Sequence, residues 1–201
     1  MVLALAALEC HGQSTFKITF DGPPFVLPVS GIVVTNYSES GFLFAPAPGG
    51  FAFTRIGTSD GSFPRSELPD NGSAYIDAPF GDSLMFGFTN GFSFDLISVD
   101  LAELTSVVPS PVTVHVVGYR QGGSTVMIDF VTDGVIDGTG PQPDFQTFHF
   151  GTDWSGLTRV EFPNSGWSMD NLLVSIPEPS SLALLLWGGA LALGLLRWRT
   201  R

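Results

Sequence analysis

Apolar and polar residues alternate along most of this chain, with the period of two that is typical of β-strands buried on one face. Phe16, Ile18 and Phe20 alternate with polar residues until the run ends at Asp21. Gly, Pro, Asn-Gly and Asp-Gly separate the later runs, so the pattern predicts about eleven strands before residue 177. The predicted strands include residues 15–20, 32–37, 41–44, 51–53, 84–88, 112–116, 126–130, 145–150, 157–162 and 167–175.

One predicted strand changes phase in its middle. Apolar residues occupy even positions up to Leu96 and odd positions from Ile97 onward. An extra residue in one strand of an antiparallel pair causes such a slip. The pattern therefore predicts a β-bulge near Leu96-Ile97.

Residues 13–176 form the predicted folded domain. No stretch of it has the 3.6-residue period of a helix, and neither a sequence repeat nor a nucleotide-binding glycine motif is present. Short strands with frequent turns predict an all-β fold, specifically a β-sandwich of jelly-roll type.

The last 25 residues break this pattern. Pro177-Glu178-Pro179 is a stiff, extended tripeptide, residues 181–196 are uncharged and mostly apolar, and the end carries Arg197, Arg199 and Arg201. A helix over the apolar run is about 24 Å long, near the thickness of a hydrocarbon core when flanking Trp and Arg side chains reach the interface. The pattern predicts one C-terminal transmembrane helix with a basic tail on the cytoplasmic side.

This order of three parts resembles the PEP-CTERM sorting signal of exported bacterial proteins. The resemblance implies cleavage near 177–179 by an exosortase, a membrane-embedded protease, after passage through the inner membrane. It also implies a final place at the cell surface or in the extracellular polysaccharide matrix. Residues 84–175 are similar in pattern to the carbohydrate-binding-module jelly rolls that often precede such tails, on the segments 92–101, 112–130, 144–148 and 168–174.

Residues 1–12 are interpreted as the remnant of a signal peptide whose front is missing. Val2 to Leu8 are apolar, but no Lys or Arg precedes them. Cys10 is the single cysteine, so the chain forms no internal disulfide. Glu9 before Cys10 disfavours a lipoprotein signal, which requires a small residue there.

Charge narrows the possible partners. The chain has eight Lys and Arg residues, three of them in the tail, and nineteen acidic residues, of which only Glu178 lies in the tail. Residues 1–176 therefore hold five basic and eighteen acidic residues, a net charge of −13. Phosphate binding needs a positive face, which excludes nucleic acid as a partner. An acidic surface suits an exported soluble domain that can bind hard cations.

Catalytic motifs are missing from the sequence. His115 and His149 lie in strand patterns and are predicted to face solvent, and no nucleophile, zinc or phosphate-loop motif is present. Carboxylate pairs for glycoside hydrolysis depend on the fold and cannot be chosen from spacing. The prediction is a protein without enzymatic activity.

Two binding sites are predicted from residue type. Asp21 ends the first strand and Asp170-Asn171 lies in the last, and a structural calcium held by these oxygens would join the two ends of the domain. Trp154, in a turn-rich stretch beside Asp153, could stack on a sugar ring while the carboxylate accepts hydroxyl hydrogen bonds. The alternative for Trp154 is packing over a sheet edge. Asp133-Gly134 and Asp137-Gly138 resemble an oxygen-rich calcium loop, but turn formation alone explains every Asp-Gly pair.

The sequence thus predicts an exported, non-enzymatic surface or matrix protein sorted by its C-terminus. A carbohydrate-binding module at the envelope is the alternative, and a polysaccharide hydrolase is a more distant third.

Overall fold

The computed structural model describes residues 13–21, 31–56, 68–69, 73–79, 81–105, 110–136 and 144–177. These residues form thirteen strands and no helix. The strands are β1 (Gln13–Ile18), β2 (Gly31–Val34), β3 (Tyr37–Glu39), β4 (Phe42–Ala45), β5 (Phe53–Ile56), β6 (Tyr75–Ala78), β7 (Leu84–Phe88), β8 (Asp95–Glu103), β9 (Thr113–Arg120), β10 (Thr125–Val131), β11 (Gln146–His149), β12 (Leu157–Phe162) and β13 (Trp167–Pro177).

The strands form two sheets. One has seven strands in the order β11-β8-β13-β6-β5-β2, with β1 also paired to β13, and the other has six in the order β10-β9-β12-β7-β4-β3. Neighbours along both orders pair in antiparallel fashion. The all-β prediction is confirmed for the described residues.

The strand order is that of a jelly roll. From β6 to β13 the chain builds β6-β13-β8-β11 in one sheet and β7-β12-β9-β10 in the other. These are the two four-stranded sheets of the eight-stranded jelly roll, in which consecutive strands cross repeatedly between layers. The strands β2 and β5 extend the first sheet, and β3 and β4 extend the second.

Aromatic side chains fill the space between the sheets. Phe94, which precedes β8, meets Phe42 of β4 edge to face with ring centroids 5.0 Å apart. Phe162 of β12 lies 5.3 Å from Trp167 of β13, and Phe130 of β10 lies 4.8 Å from Phe148 of β11. The last two pairs join the two layers, whereas Phe94 is bridged to Leu157 of β12 in the same sheet as Phe42. Aromatic packing of this kind adds to the free energy of simple burial.

The predicted bulge is present. Leu173 of β13 pairs with Ser98 and the next residue, Val174, pairs with Leu96, so Ile97 is the extra residue of β8. A second irregularity lies in β13 itself, beside Asn171, whose φ of 50° is left-handed. The change of apolar phase in the sequence was therefore a correct signal of local geometry.

Two predicted strands have different bounds. The stretch 32–37 is split, because β2 pairs with β5 in one sheet and β3 pairs with β4 in the other. The stretch 51–53 begins too early, since Phe51 is an exposed loop residue and β5 starts at Phe53. Sequence periodicity does not record the point at which a chain changes sheet.

The chain divides into two compact units, residues 15–175 and residues 1–14 with 176–201. The sandwich is the first unit, and of the second the structure describes residues 13, 14, 176 and 177. Several predicted segments lie outside the described residues. They are the signal remnant at residues 1–12, residues 178–180 before the transmembrane helix, the helix itself and the basic tail. Within the described ranges no helix is long and apolar enough to cross a membrane.

Candidate functional site

The outward face of the seven-stranded sheet is covered. All four residues of β6 are buried, including those whose side chains point away from the partner sheet. Tyr75, Ala102 and Phe145 form a buried cluster on that side, and Leu68 packs against it. A large ligand therefore has no access to the centre of this face.

The outward face of the six-stranded sheet is open. In β10 exposed positions alternate with half-buried or buried ones, and Met127, near the centre of the strand, is 72% exposed. Leu43 of β4 is also exposed. Five residues in register cross this face from β4 to β10, here called the central row: Ala45, Met85, Glu161, Val117 and Met127. At the usual spacing of strands the row is about 19 Å long.

Three polar side chains form a network at the middle of the central row, where Glu161 belongs to both. The Tyr119 hydroxyl of β9 donates a hydrogen bond to Glu161 Oε2 of β12 at 2.6 Å. Arg159 Nη2 lies 3.2 Å from Glu161 Oε1, and the Arg159 guanidinium stands 4.0 Å above the centre of the Tyr119 ring. The Arg159 side chain is 43% exposed and that of Glu161 10%. Arg159 is therefore accessible to a ligand, whereas most of the Glu161 side chain is covered.

The network changes the chemistry of Tyr119. The hydrogen bond to the Glu161 carboxylate raises the pKa of the Tyr119 hydroxyl, because the neutral phenol makes that bond. Burial and the Glu161 charge act in the same direction, while Arg159 opposes them. Tyr119 is therefore a neutral aromatic residue that donates a hydrogen bond.

A cavity of about 280 Å³ opens on the same face, over β4, β7 and β12. Its lining is mostly apolar, with Arg159 at one side: Leu43, Ala45, Met85, Phe86, Gly87, Phe88, Thr89, Thr158 and Arg159. Gly87 keeps the floor low, because a Cβ there would lie 2.8 Å from the Thr158 carbonyl oxygen. The β-bulge between Leu157 and Arg159 brings that carbonyl close.

The predicted sugar platform at Trp154 is wrong. The Trp154 side chain is 2% exposed and its ring packs 4.7 Å from that of Phe150. Gly118 of β9 makes room for it, since a Cβ there would lie 3.0 Å from Trp154 Cζ3 and closer still to Leu157 and Val126. A buried indole offers no face to a sugar.

Asp153 is exposed in the turn beside it, and its main-chain carbonyl accepts a hydrogen bond from the Arg120 guanidinium. Arg120 Nε also donates to the Ser155 carbonyl at 3.2 Å. Arg120 thus holds the turn that places Trp154 in the core.

Two of the three residues of the predicted calcium site, Asp21 and Asp170, contact one short segment. Asp21 Oδ1 accepts a hydrogen bond from Ala74 N at 2.8 Å, and Asp170 Oδ2 accepts one from Ser73 Oγ at 2.7 Å. Asn171 donates its Nδ2 to Asp100 Oδ2 at 2.7 Å. Among the described residues no group of three or more His, Cys, Asp or Glu side chains is placed to hold a metal ion. Calcium at this place stays a prediction.

The two strand histidines are exposed, as predicted. His115 Nδ1 of β9 lies 2.7 Å from Asp129 Oδ1 of β10, and His115 N donates to Asn164 Oδ1. His149 lies at the end of β11, in the other sheet.

Tyr119, Arg159 and Glu161 were not predicted. The alternation of residues 157–162 already indicates that Arg159 and Glu161 share the polar face of a strand. Their proximity to Tyr119 depends on β9 pairing with β12, about forty residues away in sequence, and no local signal records that pairing. The sorting residues Glu178, Pro179, Arg197, Arg199 and Arg201 lie outside the described residues, and of Pro177 only the backbone is described.

Comparisons with known proteins give weak likenesses. No protein-family model and no curated protein matches the chain. The solved structures that are similar to it include two carbohydrate-binding modules. One is the family 11 carbohydrate-binding module from Clostridium thermocellum in complex with a β-1,3-1,4-mixed-linked tetrasaccharide, at 9% identity and a TM-score of 0.27, covering 88% of this chain and 94% of that one. The other is the family 11 module of the cellulosomal cellulase Lic26A-Cel5E of the same organism, at 8% identity and a TM-score of 0.28, covering 83% and 95%. At these TM-scores the likeness says nothing about the function of this chain.

Proposed function

We propose that the sandwich is a non-enzymatic carbohydrate-binding module, and that an uncharged polysaccharide lies across the outward face of its six-stranded sheet. The observation that carries this proposal is the cavity beside Tyr119, Arg159 and Glu161 on the open face. Carbohydrate sites combine apolar and aromatic surface with a few polar groups that fix orientation, and these residues supply both.

The shape of the face supports a chain ligand. The central row and its flanking network run perpendicular to the strands for about 19 Å, which accommodates several sugar rings in line. The cavity gives one place where a ring can sink between Leu43 and Met85. Tyr119 Oη, Arg159 and Glu161 supply donors and acceptors at the middle of the path.

The charges favour an uncharged ligand. Arg159 and Glu161 neutralise each other at the site, and residues 1–176 carry a net charge of −13. An acidic polysaccharide would meet repulsion without an unpaired cation in this network to offset it.

The test is the binding of the full chain, in mild detergent, to soluble β-glucan, xylan and the acidic polymer alginate, measured by isothermal titration. We expect binding to an uncharged polymer. Tyr119→Ala should weaken it about tenfold or more, because the ring surface and the hydroxyl are both lost. Tyr119→Phe keeps the ring and should weaken it less.

Phe51→Ala is the matched control, since it removes an exposed ring from the β4–β5 loop. Equal losses for Tyr119→Ala and Phe51→Ala, or binding to alginate in preference to both neutral polymers, would contradict the proposal. Absence of binding to all three polymers would contradict it as well.

The sorting function is a separate proposal, supported by the order of the tripeptide 177–179, the apolar run 181–196 and the Arg-rich end. The chain would be exported, anchored briefly in the inner membrane with its C-terminus in the cytoplasm, and cut by an exosortase-type protease. The body, residues 13–176, would then act at the cell surface or in the matrix, where polysaccharide is its ligand.

A further inference from the structure

Four strands end the two strand orders, and β10 differs from the other three. The six-residue β1 pairs with β13 outside those orders and carries Lys17, a residue type that protects an edge. The terminal strands β11, β2 and β3 have 4, 4 and 3 residues, whereas β10 has 7. Shortness is one of the ways in which proteins prevent edge strands from pairing with other chains. The strand β10 lacks it.

Pro, Lys and a β-bulge, which also protect edge strands, are missing from β10. Residues 125–131 contain neither Pro nor Lys, and the pairing of β10 with β9 continues over all seven residues without a register shift. A bulge, a Pro or a Lys would disturb pairing at the edge of β10 that faces away from β9. No described strand lies on that edge.

The hydrogen-bonding groups of the free edge can be assigned. Arg120 N donates to Ser124 O and Thr132 N donates to Val112 O, so the even-numbered residues from 124 to 132 bond to β9. Hydrogen-bonded and non-hydrogen-bonded pairs alternate in an antiparallel ladder. The N–H and C=O groups of Thr125, Met127, Asp129 and Val131 therefore point away from β9.

Exposed apolar side chains accompany this edge. Met127 is 72% and Val131 56% exposed, and Val135 follows just beyond the strand. These are three of the seven large apolar side chains that are exposed in the described part of the chain. Apolar surface gathered beside unpaired backbone groups is typical of an interaction surface.

We propose that β10 pairs with β10 of a second copy, antiparallel about a two-fold axis, and joins two six-stranded sheets into one. The strand is compatible with itself. Its one charged residue, Asp129, is already paired with His115 of the same chain at 2.7 Å. A register centred on Met127 or Ile128 keeps the two Asp129 residues apart. In such a register no like charges face each other. An isologous contact of this kind closes a dimer.

The test compares the full chain in mild detergent with Met127→Pro and Met127→Ala by sedimentation velocity. The wild-type chain should be dimeric. Met127→Pro should be monomeric, because Pro removes an N–H that points to the free edge and leaves the bonds to β9 in place. Met127→Ala retains that N–H and should still dimerise. A monomeric wild type, or a dimeric Met127→Pro with a native circular-dichroism spectrum, would overturn the proposal.

Crosslinking keeps the proposal testable if Met127→Pro does not fold. In a Cys10→Ser background, Met127→Cys treated with a short bismaleimide should give a crosslinked dimer. Val33→Cys, exposed on the short edge strand β2, should not. A dimer held by the C-terminal segment would leave Met127→Cys uncrosslinked and overturn the assignment to β10.

Discussion

Asp77 is a carboxyl group that the fold keeps away from water. It is 5% exposed, lies in register between Thr54 of β5 and Ser168 of β13, and its Oδ1 has no hydrogen-bond partner among the described residues. Burial raises the pKa of Asp77 from 3.8 to about 7, with a further contribution from the Asp82 charge and an opposing hydrogen bond from Thr54. Asp77 is therefore largely neutral in the folded protein below that pH.

This raised pKa predicts a stability that falls as pH rises. Below pH 4 Asp77 holds its proton in both the folded and the unfolded chain. Between about pH 4 and 7 the unfolded chain releases the proton while the folded chain retains it, so the free energy of unfolding decreases as pH approaches 7. The full effect is roughly 4 kcal/mol for a shift of this size. Asp77→Asn should flatten the curve of unfolding free energy against pH in this window, whereas exposed Asp153→Asn should not. Urea unfolding at pH 5 and pH 8 measures the difference, and parallel curves for wild type and Asp77→Asn would contradict it.

Trp154 is a core residue, and its substitution should affect stability rather than binding. Trp154→Ala is expected to lower the free energy of unfolding by about 3–5 kcal/mol, because it leaves a cavity against Gly118 and Phe150. Urea unfolding measures this loss. Trp154→Phe should fold and bind polysaccharide as the wild type does. Loss of binding without loss of stability in that variant would instead support the sugar-binding role of Trp154 that was predicted from the sequence.

At the scale of elements, the ends of β1 and β13 meet one connecting segment. Asp21, just after β1, binds Ala74, and Asp170, within β13, binds Ser73. The chain is bent at both places, since Phe20 and Asn171 have left-handed φ values of 57° and 50°. Thr19 N and Phe20 N both donate to the Glu39 carboxylate, at 3.1 and 3.0 Å, which holds the first bend. These contacts join the two ends of the sandwich without a disulfide.

The calcium prediction belongs to this place. If calcium is bound through Asp21 and Asp170, a chelator should lower the melting temperature, because a ligand of the folded state stabilises it by mass action. Scanning calorimetry of the full chain with and without chelator measures the shift, and Asp170→Asn should abolish it. An unchanged melting temperature would leave the hydrogen bonds to Ser73 and Ala74 as the whole role of these carboxylates.

The two sheets of the sandwich differ in how much of their outward faces is exposed. The seven-stranded sheet is buried on both faces along β6 and carries the polar groups Asp77, Ser168 and Asp170 inside. The six-stranded sheet has one open face with the cavity, Tyr119, Arg159 and Glu161. A ligand that binds the sandwich broadly therefore has one sheet face available among those described.

The sorting proposal predicts that the anchor is temporary. Protein isolated from a host that has an exosortase should lack residues after the region 177–179, and protein made in a host without one should keep Arg201 and stay in the membrane. This expectation rests on the two prolines of the tripeptide, since Pro disfavours helix at its own position and at the residue before it. Intact mass of both products decides the matter, and a full-length product in the first host would reduce the tail to a plain anchor.

Local information was sufficient for the strands. Alternation, turn residues and the phase change at Leu96-Ile97 predicted most of the elements and one bulge, because the side-chain period of a strand is a property of the strand itself. The all-β sandwich followed from the number and length of those strands. Composition and charge likewise predicted an acidic domain that does not depend on disulfides.

The tertiary structure decided where each side chain lies. Trp154 and its turn have the composition of a surface loop, yet Gly118 of a distant strand opens the space that buries the ring. Tyr119, Arg159 and Glu161 became one network when β12 paired with β9, and the split of residues 32–37 followed from pairing with different sheets. Pairing between distant strands depends on the packing of the whole domain, so the sequence by itself determined the elements and their phase, and the fold determined the site.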